Sequence, residues 1–177
     1  MEKENLSEDS LRIYKYGESV LKENSKKIEE VDDSLKDLIK EMQKTMIEKN
    51  GVGLAAPQIG KSIQLAVVDP SSGEAEGEFF PLINPEIIKR DGEDTAEEGC
   101  LSVPGILLQI KRSKNITIKA LDIDGKEYIK DFSDFTARII QHEMDHLKGT
   151  LIIDRVSSLK RQFTKREIKR IQEDGEW

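Results

Sequence analysis

The stretch that most constrains this chain is 133–147, because its spacing demands a helix and its content demands that the helix be buried. Phe135, Ile139, His142 and His146 fall on one stripe, at offsets 0, 4, 7 and 11, and Ile140, Met144 and Leu147 form an adjacent one. These intervals follow the 3.6-residue period of an α-helix. Two neighbouring apolar stripes leave little circumference for solvent, so the helix predicted from near Ser133 to about Leu147, stopped by Gly149, runs through the interior. The two histidines, and Glu143 beside them, are carried inside with it.

Histidines at i and i+4 sit one above the other on a helix face, so His142 and His146 can both reach one cation. Glu143, one step around the helix, can act as general base toward a water that such a cation activates. The chain has only two histidines, and about one residue in eight is Glu. Random placement would give this arrangement in roughly one chain in 700, so coincidence explains it poorly.

Two imidazoles leave a catalytic ion one protein ligand short, since such sites use three protein ligands and keep one position open. Cys100 offers the only thiolate in the chain. A lone cysteine is often just a small buried hydrophobe. Here Gly99 on one side and Pro104-Gly105 on the other predict a constrained loop instead of a packed strand. A further segment, GVGLAAPQ at 51–58, brings glycines that permit close backbone approach and Gln58, a neutral amide donor. It lacks the Gly-Lys-Ser/Thr ending of a phosphate loop.

Composition narrows the setting. A single cysteine cannot form an internal disulfide, which suits a reducing compartment, and no run approaches the ~18–20 apolar residues of a membrane span. The first ten residues are charged and lack an apolar signal core, so the expectation is a cytoplasmic protein with 1–10 as a flexible polar extension. At 177 residues, without repeats or low-complexity linkers, one domain over 1–177 is expected. The net charge of −7 argues against DNA or another polyanion as the main ligand. Between 155 and 170, however, seven Lys/Arg face one acid, Glu167, which predicts an amphipathic terminal helix with a basic face.

The remaining elements follow from pattern. A helix is expected over 34–49, with Ser34 and Asp37 as a capping box and the left-handed stop at Asn50-Gly51. Its apolar face is Leu35, Leu38, Ile39, Met42 and Met46. Strands are expected at 64–68 and at 79–83, the second ended by Asn84-Pro85. A hairpin of 116–121 and 127–132 turns at Asp124-Gly125, and 71–78 reads as an exposed loop.

Three segments together, GVGLAAPQ (51–58), EEGCLSVPG (97–105) and QHEMDHLKG (141–149), resemble in type and order the signature motifs of the bacterial peptide deformylase family, with His142 coming 42 positions after Cys100. The similarity spans roughly Arg12 to Arg155, with Ser19 where a proline is common. It implies an α+β fold with antiparallel β-sheets around a central metal-binding helix, plus an N-terminal and a C-terminal helix. It implies removal of the formyl group from N-terminal formyl-methionine of nascent polypeptides, with release of formate.

By the same resemblance Cys100, His142 and His146 hold one divalent ion, Fe2+ natively, with Zn2+, Ni2+ or Co2+ able to replace it. Glu143 moves protons, and Gln58 and the Leu101 N–H hold the developing oxyanion. Val52, Gly53 and Gly99 meet the substrate backbone, and an apolar pocket at Val52 and Ile139 takes the methionine side chain. The basic C-terminal helix is expected to touch the ribosome. One departure is Leu107, where some bacterial members carry a substrate-contacting arginine.

From the residues alone two other readings stay open. One is a zinc protease, although only 31 residues follow His146 and none is a histidine. The other is a non-catalytic relative, although a structural site would close its fourth position with a protein ligand.

Overall fold

A short run of four apolar residues, LAVV, organises the fold. In the computed structural model, which describes residues 10–175 and 177, all four are buried. A strand covered on both faces reads as a continuous apolar run and needs a layer on each side. In chain order the elements are α1 (Asp33–Glu48), β1 (Gly53–Ala55), β2 (Leu65–Val68), β3 (Phe80–Asp91), β4 (Asp94–Glu98), β5 (Leu108–Arg112), β6 (Asn115–Leu121), β7 (Glu127–Ser133), α2 (Asp134–Leu147) and α3 (Ser158–Glu173).

Five strands form one antiparallel sheet in the order β1-β2-β3-β6-β7, and β4 and β5 pair with each other in a separate two-stranded sheet. Because side chains alternate along a strand, β2 feeds two cores. Ala66 and Val68 pack with Ile139, Ile140, Met144 and Leu147 of α2. Leu65 and Val67 pack with Leu35, Ile39, Met42 and Met46 of α1. A third cluster joins the β4–β5 connection to α3, through Val103, Ile106, Ile110, Leu151, Ile152 and Ile168. The fold is thus α+β, with antiparallel sheets around the histidine-bearing helix, as the resemblance implied.

The 115–133 hairpin turns at Gly125 (φ +75°), and α2 spans nearly the predicted residues. Four expectations need correction. The cap of α1 is Asp32, not Ser34, since the Asp32 carboxylate accepts from Leu35 N at 2.8 Å. The left-handed residue after α1 is Asn50 (φ +53°), while Gly51 N–H donates to Met46 O. β3 does not end at Asn84-Pro85 but runs on to Asp91, because a register shift between Ile83 and Glu86 removes the proline from the ladder. Asn84 steadies that irregularity by exchanging two 2.8 Å hydrogen bonds with the backbone of Ile28.

Phe135, expected inside, is 53% exposed, because the first turn of α2 projects past the core to the mouth of a cavity. Apart from Ser10, the extension expected at 1–10 lies outside the described residues. None of the described helices is long and apolar enough to cross a membrane.

Candidate metal centre

α2 buries an unusual set of side chains for a core helix: Arg138, Gln141, Glu143, Asp145 and His146, with His142 half-buried. Each polar group must find a partner or exact a desolvation cost of about 1–3 kcal/mol. Most partners come from β4 and β5 and the residue that follows them, and the loop between these strands delivers Cys100 to the histidines. One ligand atom from each of Cys100, His142 and His146 lies within 4.8 Å of the others, and Cys100 Sγ is 3.4 Å from His146 Nε2. Sulfur and nitrogen ligands at ~2.3 and ~2.1 Å around a tetrahedral ion stand about 3.5 Å apart, so the residues fit a cation.

The tautomers fit as well. His142 Nδ1 lies 2.9 Å from Glu98 Oε2. An ionised carboxylate can only accept, so Nδ1 carries a proton and Nε2 is the nitrogen that a cation would engage in place of a second proton. Glu98 is itself buried and receives four hydrogen bonds: from His142, from Arg112 Nε (2.9 Å) and Nη2 (2.8 Å), and from Arg138 Nη1 (2.8 Å). Burial opposes its ionisation, but the bonds and charges of Arg112 and His142 hold it far below the usual carboxylate range.

Arg112 also donates to Asp145 Oδ2 at 2.6 Å. Burial disfavours its charge, yet Glu98 and Asp145 raise its pKa above the ordinary value. His142 is raised well above its ordinary value, since burial is outweighed by the acceptors Cys100 and Glu98 and by the charge of Glu143. That negative surround is what a divalent cation would draw on. His146 is lowered well below its ordinary value by burial and by the charges of His142 and Arg112, leaving the neutral imidazole that ligation requires.

Glu143 packs against β1, where a Cβ on Gly53 would collide with its carboxylate. Burial pushes its pKa up to about 7, partly offset by the charge of His142, and its Oε2 is buried without a hydrogen-bond partner among the described residues. Gln58 is oriented from both ends. Its Oε1 accepts from Ala55 N at 2.9 Å, and its Nε2 donates to Ser102 Oγ at 3.1 Å and lies 3.7 Å from Cys100 Sγ.

A cavity of about 530 Å³ opens over these groups. Val52, Gly53, Gln58, Gly99, Cys100, Leu101, Ile139, His142 and Glu143 all line it, while His146 lies behind, almost fully buried. Gly99 fits closely: a Cβ there would fall 3.1 Å from Leu107 Cδ2, with Leu107 itself exposed. Sequence reasoning missed Glu98, Arg112, Arg138, Asp145 and Ser102. A signal existed for two of them. Arg138 and Asp145 are charged residues at positions −4 and +3 from His142, on a helix predicted to be buried.

Comparison with known proteins extends over the same elements. The family described as Polypeptide deformylase matches residues 10–162. The chain is 43% identical over 165 residues to a peptide deformylase of Acidobacterium capsulatum, covering 93% of this chain and 97% of that one. It is 45% identical over 159 residues to that of Thermodesulfovibrio yellowstonii, covering 90% and 96%. Among solved structures, a peptide deformylase from Legionella pneumophila superposes with a TM-score of 0.86 at 39% identity, covering 93% of this chain and 96% of that one. A plant peptide deformylase gives 0.87 at 34%, covering 99% and 94%.

Proposed function

The chain belongs to the polypeptide deformylase family, and from that premise we propose that its chemistry takes place in the cavity between β1, α2 and the Cys100 loop. It is a metal-dependent hydrolase that removes the formyl group from nascent polypeptides. Cys100, His142 and His146 hold the ion. When bound, a divalent ion supplies Lewis acidity, polarising a carbonyl and lowering the pKa of water toward about 7. One thiolate and two imidazoles suit iron, zinc, cobalt or nickel. Our reading, in line with the family resemblance, is ferrous iron.

The substrate binds as an added strand. β1 stands at the edge of the five-stranded sheet, so the backbone beside Val52 and Gly53 is free to pair with an extended peptide. Gly99, lacking a side chain, leaves room on the opposite wall. Ile139 and Val52 take the methionine side chain, with Phe135 at the entrance. This places the formyl carbon near Glu143 and Gln58.

Glu143 accepts a proton from the attacking water on its carboxylate. The Gln58 amide and the Leu101 N–H donate to the formyl oxygen as charge builds on it, in a role worth about 10²–10³ in rate for each donor. The Ala55 and Ser102 contacts hold the Gln58 amide in that orientation, so little reorganisation is needed. Glu143 then returns its proton to the leaving amine, giving formate and a free N-terminus.

The single observation that carries the reading is the convergence of the three ligand atoms within 4.8 Å at the wall of a cavity that also contains Glu143 and Gln58. The test is incubation with formyl-Met-Ala-Ser and, separately, with an unmodified internal peptide. Formate release from the first alone is expected. Cleavage of the second without formate release would replace this reading with a protease.

The basic face of α3 offers a surface for ribosome contact, in a cytoplasmic setting where chains emerge. Co-sedimentation with ribosomes that survives replacement of Lys165 and Lys169 by Glu would discount it.

A further inference from the structure

The three ligands come from two pieces of chain that no β-ladder joins. The histidines ride on α2, whereas Cys100 follows β4, and β4 pairs only with β5. The separation between thiol and imidazoles therefore depends on side chains bridging the β4–β5 hairpin to α2. One bridge is Arg112 of β5, whose Nη1 donates to Asp145 of α2 at 2.6 Å. Two single-residue contacts accompany it: His142 Nδ1 donates to Glu98 Oε2 at 2.9 Å, and Gln141 Nε2 donates to Ser113 O, just past β5, at 2.8 Å.

The widest bridge is Arg138, one helical turn before His142. Its Nη1 donates to Glu98 Oε1 and to Ile110 O, both at 2.8 Å. Its Nη2 donates to Asp94 O at 2.9 Å and to Asp94 Oδ2 at 3.1 Å. One buried guanidinium thus grips β4 at both ends and β5 in its middle, with the planar fork that lysine lacks.

We propose that Arg138 is a positioning residue that fixes the β4–β5 hairpin on α2, and so holds the Cys100 loop at ligand distance from His142 and His146 before any ion arrives. The inference rests on the assignment of those three residues as metal ligands. Its physical content is preorganisation: ligands already in place need not be ordered at the moment of binding, and an ion bound among them leaves slowly. A guanidinium that grips both strands fixes an angle that contacts to one residue apiece cannot.

The test uses the full chain loaded anaerobically with Co2+, whose absorption reports thiolate ligation directly. Wild type, Arg138→Met, Arg138→Lys and Asp94→Ala are compared by the thiolate-to-cobalt charge-transfer band and by the rate of ion loss to a chelator. Arg138→Met is expected to lose the ion about tenfold faster or more, with a weakened thiolate band. Arg138→Lys, able to reach Glu98 but not both backbone carbonyls, falls between. Asp94→Ala removes only an exposed partner and stays within about twofold of wild type.

A folded Arg138→Met protein with the wild-type band and release rate overturns the proposal, even if its melting temperature falls. Should that variant fail to fold, Arg138→Lys decides on the same two readouts. A wild-type protein with no thiolate band would instead overturn the ligand assignment itself.

Discussion

Helices α1 and α2 have nearly the same length and flank the same sheet, but they bury opposite kinds of side chain. α1 buries Leu35, Ile39, Met42 and Met46, with Thr45 the one polar exception. α2 buries Arg138, Gln141, Glu143, Asp145 and His146 among its apolar residues. The α1 face needs only shape complementarity, and burying each large apolar side chain contributes about 1.5–3 kcal/mol. The α2 face needs a partner for nearly every polar atom, and the β4–β5 hairpin supplies them through Glu98, Arg112 and backbone carbonyls. Burying such charges is weak evidence for stability, because desolvation offsets most of the attraction. Both helices supply apolar core, but only α2, with its hairpin, also carries a buried polar network around the candidate ligands.

The comparison breaks if changes on the two helices produce the same kind of defect. The largest expected effect is on α2. Glu143→Ala should lower turnover of formyl-Met-Ala-Ser by about 10²–10⁴ while the ion stays bound, as read by metal analysis of the purified variant. Near-wild-type turnover would remove Glu143 from proton transfer. A smaller effect of a different kind is expected on α1. Met42→Ala should cost about 2–5 kcal/mol of stability in denaturant unfolding, with the rate per folded molecule unchanged. Loss of turnover in the still-folded variant would mean that the two sides of the sheet are coupled.

Sequence reading reached the apolar half of this contrast more readily than the polar half. Helices α1 and α2 were legible because apolar periodicity is a local signal, and the 115–133 hairpin because alternation and an Asp-Gly turn coincide. β4 was not legible. Of its five residues, Asp94, Thr95 and Glu97 are exposed and only Glu98 is buried, so no alternation announces it. β5 alternates over Leu108, Ile110 and Arg112, but a buried arginine breaks the apolar pattern a reader looks for. The candidate ligands Cys100, His142 and His146 were legible as types at telling intervals, and the fold brings them together. The network around Glu98 was not, because its members meet only when a hairpin that leaves no mark in the pattern docks on α2.

The most direct test is metal analysis of wild-type and Cys100→Ala protein purified without oxygen. One firmly held ion per wild-type chain is expected, iron when the protein is isolated anaerobically, with a largely metal-free Cys100→Ala chain that remains folded. An equal metal content in the two proteins would contradict that expectation.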